Sequence, residues 1–169
     1  MRLFVRDSPP SHIRAVVGLV GCLFAPTIAS AQSVVLRGLS GPAKIVGADE
    51  LKAMPHRTVT ATVHGLSGAY AGIPLSLLLA RVNAPQGESL HGPAMGDMVI
   101  AKACDGYRVV LTLSDIDPAF RDQTAILADT VNGQPLDARE GPLRLIVEGD
   151  KRAARSARCV TSLTLAIVP

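Results

Sequence analysis

The chain has no tryptophan, only 3% aromatic residues, and three cysteines in 169 positions. So few aromatics, not interleaved with basic residues, exclude a stacking surface for nucleic acid. No GxGxxG follows a strand, and no phosphate-binding Walker loop, HExxH or GxSxG occurs. These absences exclude the common nucleotide, zinc-protease and serine-hydrolase designs. There are no repeats and no low-complexity linker. The one sustained apolar run, Ala15 to Ala25, is too short to span a bilayer.

That run is preceded by Arg2, Arg6 and Arg14 and ends at Ala29-Ser30-Ala31. A basic start, a short apolar centre and a small-x-small site define a secretory signal peptide over residues 1–31. Cleavage is expected after Ala31, which leaves no stable membrane span and predicts a periplasmic or secreted protein. Residues 32–169 then form one domain. Removing Arg2, Arg6, Arg14 and Asp7 leaves 14 basic and 13 acidic residues, so the mature chain is nearly neutral. A nearly neutral chain is not a general nucleic-acid binder.

Cys22 leaves with the signal peptide. Cys104 and Cys159 remain, 55 positions apart. In an oxidising compartment such a pair can close a disulfide. Each also sits in an apolar stretch, where a thiol serves as a small buried hydrophobe. Sequence does not supply the Cα separation that decides between them.

What is present is a series of short strands. Ser33–Arg37, Lys44–Val46, Arg57–His64, Met98–Cys104, Tyr107–Leu111 and Ser162–Val168 read as strands by alternation or β-rich composition. Val59, Ala61 and Val63 alternate with Thr58, Thr60, Thr62 and His64, which gives an apolar and a polar face. Leu66-Ser67-Gly68 is expected to turn the chain, and Tyr70–Ile73 to return it. Leu75, Leu78, Leu79 and Val82 have the spacing of a helix packed on a sheet, with Pro74 at its start. Ala48–Met54 reads as a helix, and Ser114–Asp117 as one helical turn capped by Ser114. The segment from Glu88 to Asp97 reads as a loop. Leu127–Val131, the turn Asn132-Gly133, and Leu143–Glu148 form the most strand-rich region. Leu143, Leu145 and Val147 mark its buried face. The expected class is α+β, with a mixed or barrel-like sheet and two or three short helices.

Read in order, several pieces form a pattern: Tyr70-Ala71-Gly72-Ile73-Pro74-Leu75, Asp105-Gly106-Tyr107, Asn132-Gly133-Gln134-Pro135-Leu136, Gly141-Pro142-Leu143-Arg144, and the basic loop Gly149–Arg158. Over roughly Val59 to Val168 this order resembles the molybdopterin-binding domain of the sulfite oxidase family. The resemblance implies that fold. It also implies a pterin cofactor held by Arg144, Lys151, Arg152, Ser156 and Arg158, since guanidinium forks suit a phosphate. Tyr107 matches the family's aromatic hydroxyl at the substrate pocket. His64, on the polar face of its strand, is a further candidate to bind the cofactor or ligand, against a structural role at the strand end.

The chain departs from the family at one decisive point. The family holds molybdenum with a cysteine thiolate two residues before a glycine. Here the segment is Thr62-Val63-His64-Gly65, so Val63 occupies the cysteine's place and cannot bind a metal. No nearby cysteine replaces it, because the mature chain has none before Cys104. Two readings therefore stand. One is a molybdopterin-dependent oxidoreductase with an electron-transfer or other partner protein and with Cys104 as a candidate substitute ligand. The other is a non-catalytic module that keeps the fold and binds a small anionic ligand or a partner protein without metal.

Overall fold

A computed structural model describes residues 32–168. The expected signal peptide, residues 1–31, lies outside them. Two five-stranded sheets carry the domain, with three short helices, and the described strands do not close into a barrel. The first sheet has the order β2 (Lys44–Gly47), β1 (Ser33–Arg37), β10 (Val160–Ala166), β5 (Met98–Ala103), β6 (Arg108–Thr112). Only β1 and β10 run parallel in it. The second is built on β3 (Arg57–Val63), β4 (Leu66–Pro74) and β7 (Ala125–Val131). The far edge of β7 is shared by β8 (Gln134–Pro135) and β9 (Arg144–Val147).

The main core lies where α2 (Leu75–Ala80), α1 (Ala48–Ala53), the first sheet and one face of β7 and β9 meet. Leu75, Leu78 and Leu79 are fully buried and Val82 nearly so, as their spacing predicts. A second, smaller cluster contains Val59, Val63, Tyr70, Ile126, Ala128 and Ile146. Successive residues of a strand point to opposite faces. Ala125 and Leu127 therefore enter the main core while Ile126 and Ala128 enter the second cluster.

This two-sided burial corrects the sequence reading of β9. Leu145 and Val147 face the main core as expected, but the opposite face is also covered, and Arg144 on it is 1% exposed. The hairpin between β3 and β4 differs as well. Leu66-Ser67-Gly68 is strand, paired with Ala61-Thr62-Val63, and the turn is His64-Gly65. Both turn residues have positive φ, 50° and 81°, which is the two-residue turn that a right-handed strand twist favours. His64 therefore sits at a hairpin tip rather than on the strand's polar face.

Three smaller corrections have clear causes. The turn α3 (Leu113–Ile116) is capped by Thr112, not Ser114. Thr112 Oγ1 accepts from the Asp115 amide at 3.2 Å while Asp115 Oδ2 accepts from the Thr112 amide at 3.0 Å. Ser114 lies inside the turn, at its second residue, so its side chain is not placed to cap it, and the reciprocal pair forms between Thr112 and Asp115. The segment read as a loop before β5 carries two short 3-10 turns, Gly87–Ser89 and Gly92–Gly96. The last strand begins at Val160, two residues before the expected start. Gly72 is required where β4 crosses β7: a Cβ there would lie 2.2 Å from the Leu127 carbonyl oxygen.

Candidate functional site

Four segments converge beyond the ends of β5, β9 and the β3–β4 hairpin. They are the hairpin tip, the β5–β6 turn, the start of β9, and the loop between β9 and β10. Together they line an open cavity of about 180 Å³, with His64, Asp105, Tyr107, Arg144, Ser156 and Arg158 among its walls. Five residues singled out from the sequence thus share one cavity: His64, Tyr107, Arg144, Ser156 and Arg158. Lys151 and Arg152 are exposed on the same loop but do not line it.

Each wall residue is held by local chemistry. Asp105 Oδ1 accepts from the Tyr107 amide at 2.9 Å, which fixes the β5–β6 turn. Tyr107 is 50% exposed, and its hydroxyl donates across to the Ala154 carbonyl at 2.8 Å. The ring thus joins the turn to the loop, with one apolar side and one polar end. Ser156 is nearly buried, and its carbonyl accepts from Arg144 Nη2 at 3.4 Å.

Arg144 is the unusual residue. It forms an ion pair with Glu140 through Nη1, without hydrogen-bond alignment, and its Nε has no hydrogen-bond partner. Burial lowers its pKa, but a guanidinium in such a setting stays cationic at neutral pH. A buried cation needs compensation; Glu140 pairs with it directly, and Tyr70 and Asp137 also favour its charge. Sequence reading missed Glu140; its signal was the requirement of a buried arginine for a carboxylate. Glu140 and His64 also line a neighbouring cavity of about 360 Å³ with Val63, Leu66, Tyr70 and Asp137. Arg158 is exposed and belongs to none of the described ion pairs. Arg155 is occupied instead, with Nε donating to Asp150 at 2.9 Å.

Cys104 and Cys159 are bonded to each other, with Cα atoms 5.6 Å apart. The separation lies in the normal range for a bridge. Neither cysteine is in a hydrophobic cluster; Cys104 is exposed and Cys159 half-buried. The alternative of two buried thiols is therefore overturned.

The fold is that of an α+β domain of the sulfite oxidase type. Residues 27–167 match the oxidoreductase molybdopterin binding domain, and the chain belongs to that family. Among solved structures it is similar to the sulfane dehydrogenase SoxCD from Paracoccus pantotrophus. The TM-score is 0.58 with 20% identity, over 79% of this chain and 38% of that one. At that identity the likeness carries the fold alone, and this chain spans well under half of that protein's chain. No curated protein matches the chain.

The donor set does not fit the family's metal. A molybdenum site of this kind needs a deprotonated sulfur from the protein. Val63 is packed in the second cluster, and both cysteines of residues 32–168 are consumed by the disulfide. Among the described residues no group of three or more His, Cys, Asp or Glu converges on a common point.

Proposed function

We propose that this chain is a secreted or periplasmic binding module that keeps the molybdopterin-domain fold without molybdenum chemistry. Its ligand is a small anion-bearing molecule held in the His64–Tyr107–Arg158 cavity. The observation that carries this reading is the Cys104–Cys159 disulfide. It removes the thiolates a metal would need, while Arg158 remains exposed at the same cavity.

Arg158 offers a planar two-toothed donor suited to phosphate or carboxylate. Buried Arg144 adds positive potential behind it, partly offset by Glu140. Asp105 is the one carboxylate in the lining, and one of its oxygens is engaged by the Tyr107 amide. The disulfide fits the oxidising compartment that the signal peptide predicts. A metal-free pterin, through its phosphate, belongs to the ligand class. Family membership favours a second reading, a molybdopterin-dependent oxidoreductase with an electron-transfer partner. That reading needs a protein ligand to the metal, and the disulfide withholds it.

The test is a titration with inorganic phosphate followed by amide NMR. Shifts confined to residues 64, 105–107 and 153–158, weakened about tenfold or more in Arg158→Gln with unchanged stability, support the reading. Shifts spread over the surface, or equal in the variant, would remove it.

A further inference from the structure

We infer that the Cys104–Cys159 disulfide is a reversible clamp on the ligand cavity, opened by exchange with a dithiol and re-formed by exchange with a disulfide. This rests on the proposed ligand site, because the clamp acts on the same walls.

The two cysteines stand where the β5–β10 ladder ends. The last strand pair is Val160 with Ala103, and the register shifts between Val160 and Ser162. One position further, the Cys104 amide donates to the Cys159 carbonyl at 2.8 Å. Cys104 leads directly into the turn that carries Asp105 and Tyr107. Cys159 directly follows Arg158. The bridge is therefore the covalent link between two walls of the cavity. Two hydrogen bonds also tie these walls, the Cys104 amide on the Cys159 carbonyl and the Tyr107 hydroxyl on Ala154.

The loop on the Cys159 side has little apolar anchoring. Within 149–159 only Ala153 and Ala157 join the hydrophobic clusters, Ala153 as a partly buried neighbour. Cys159 also has a φ of +48°, a left-handed conformation that side chains rarely adopt. Such a residue persists when its surroundings hold it, and the bridge is part of that hold. Backbone hydrogen bonds from Leu145 to Ala157 and from Cys159 to Glu140 also hold the segment; loss of the bridge removes its covalent restraint and loosens Arg158 relative to Tyr107.

Exposure makes the exchange accessible, and exposed disulfides are the labile ones. One thiolate of a dithiol attacks the sulfur of Cys104, the more exposed of the two residues, and forms a mixed disulfide. The bond to Cys159 breaks, and Cys159 leaves as a thiolate that takes up a proton. Neighbouring Arg158 favours that leaving thiolate. The second thiol of the reductant then attacks its own sulfur in the mixed disulfide and releases Cys104 as a thiol. Two electrons and two protons pass to the chain, and the reductant departs as a disulfide.

The experiment uses the intact protein under native conditions, oxidised, treated with dithiothreitol, and reoxidised with oxidised glutathione. Thiol counting, deuterium uptake and the phosphate titration are read on each. Reduction is expected to raise uptake in residues 153–158 about tenfold at short times while β5 and β7 stay protected. Phosphate binding should weaken about fivefold, and both effects should reverse on reoxidation. The double variant Cys104→Ala/Cys159→Ala should resemble the reduced protein and ignore the dithiol. A bridge that resists the dithiol, an unchanged loop, or wholesale unfolding on reduction would overturn the clamp. If phosphate does not bind the oxidised protein, the ligand reading fails, and the uptake data still decide whether the bridge clamps the loop.

Discussion

The two sides of the cavity are built on different principles. On one side is the β3–β4 hairpin tip, set by backbone geometry alone. Its ladder runs without a break from Arg57–Gly72 to Val63–Leu66, and a two-residue turn closes it. On the other side is the loop from Gly149 to Cys159, held by cross-links: the disulfide, the Tyr107–Ala154 hydrogen bond, the Arg155–Asp150 pair and the Arg144–Ser156 contact. The difference shows how separately the two walls are built. On the hairpin side Val63 is packed in the second cluster. On the loop side Arg144 and Arg158 line the cavity, while Lys151 and Arg152 do not. The two sides can differ in chemistry because different segments build them.

The largest expected effect falls on the cross-linked side. The Cys104→Ala/Cys159→Ala variant should stay folded and lose about 4 kcal/mol of stability, from the entropy of the freed 55-residue separation. Urea unfolding checks this. A loss under about 1 kcal/mol would show that the loop's hydrogen bonds alone define its position. Next comes Arg144→Ala, which strands Glu140 and empties a buried site. It should cost about 3 kcal/mol by the same assay, and Glu140→Gln, Arg144→Met together should cost clearly less.

The hairpin side should respond more mildly. Gly65→Ala, at a φ of +81° with open space around it, should cost about 1 kcal/mol and leave phosphate binding intact. The smallest effect belongs to His56, which ties the start of β3 to Asp129 on β7 at 3.0 Å. Partial burial pulls its pKa down, but the hydrogen bonds to Asp129 and the Met54 carbonyl outweigh it and raise the pKa above 6.5. A raised folded-state pKa gives stability that is fully present below 6.5 and fades as the pH rises through the folded value. Unfolding midpoints measured across that window should fall slightly for the native chain and stay flat for His56→Gln.

Much of this was legible in the sequence. Period-two alternation found most strands, and the leucine spacing found α2 with its buried face. The ordered turn motifs identified the sulfite oxidase-type fold. Four residues named from those motifs, Tyr107, Arg144, Ser156 and Arg158, line one cavity with His64. What stayed hidden depended on long-range contacts. The alternation Leu143-Arg144-Leu145-Ile146-Val147 looks half-exposed until the second cluster covers its other face. Arginine at such a position reads as solvated, and its partner Glu140 lies outside any regular element. The hairpin turn was displaced by three residues because Leu66-Ser67-Gly68 and His64-Gly65 both carry turn chemistry. Pairing with β3 keeps Gly68 and its neighbours in the strand. The disulfide was undecidable because two apolar contexts in sequence became an exposed ladder end in space.

Elemental and pterin analysis, with a free-thiol count, tests the central claim most directly. The protein is purified under non-reducing conditions from a molybdenum-replete native host. The account predicts a folded chain without free thiols and with far less than one molybdenum per chain, whether or not a pterin is bound. About one molybdenum per chain would contradict it, because a site that retains metal at that level has a protein ligand.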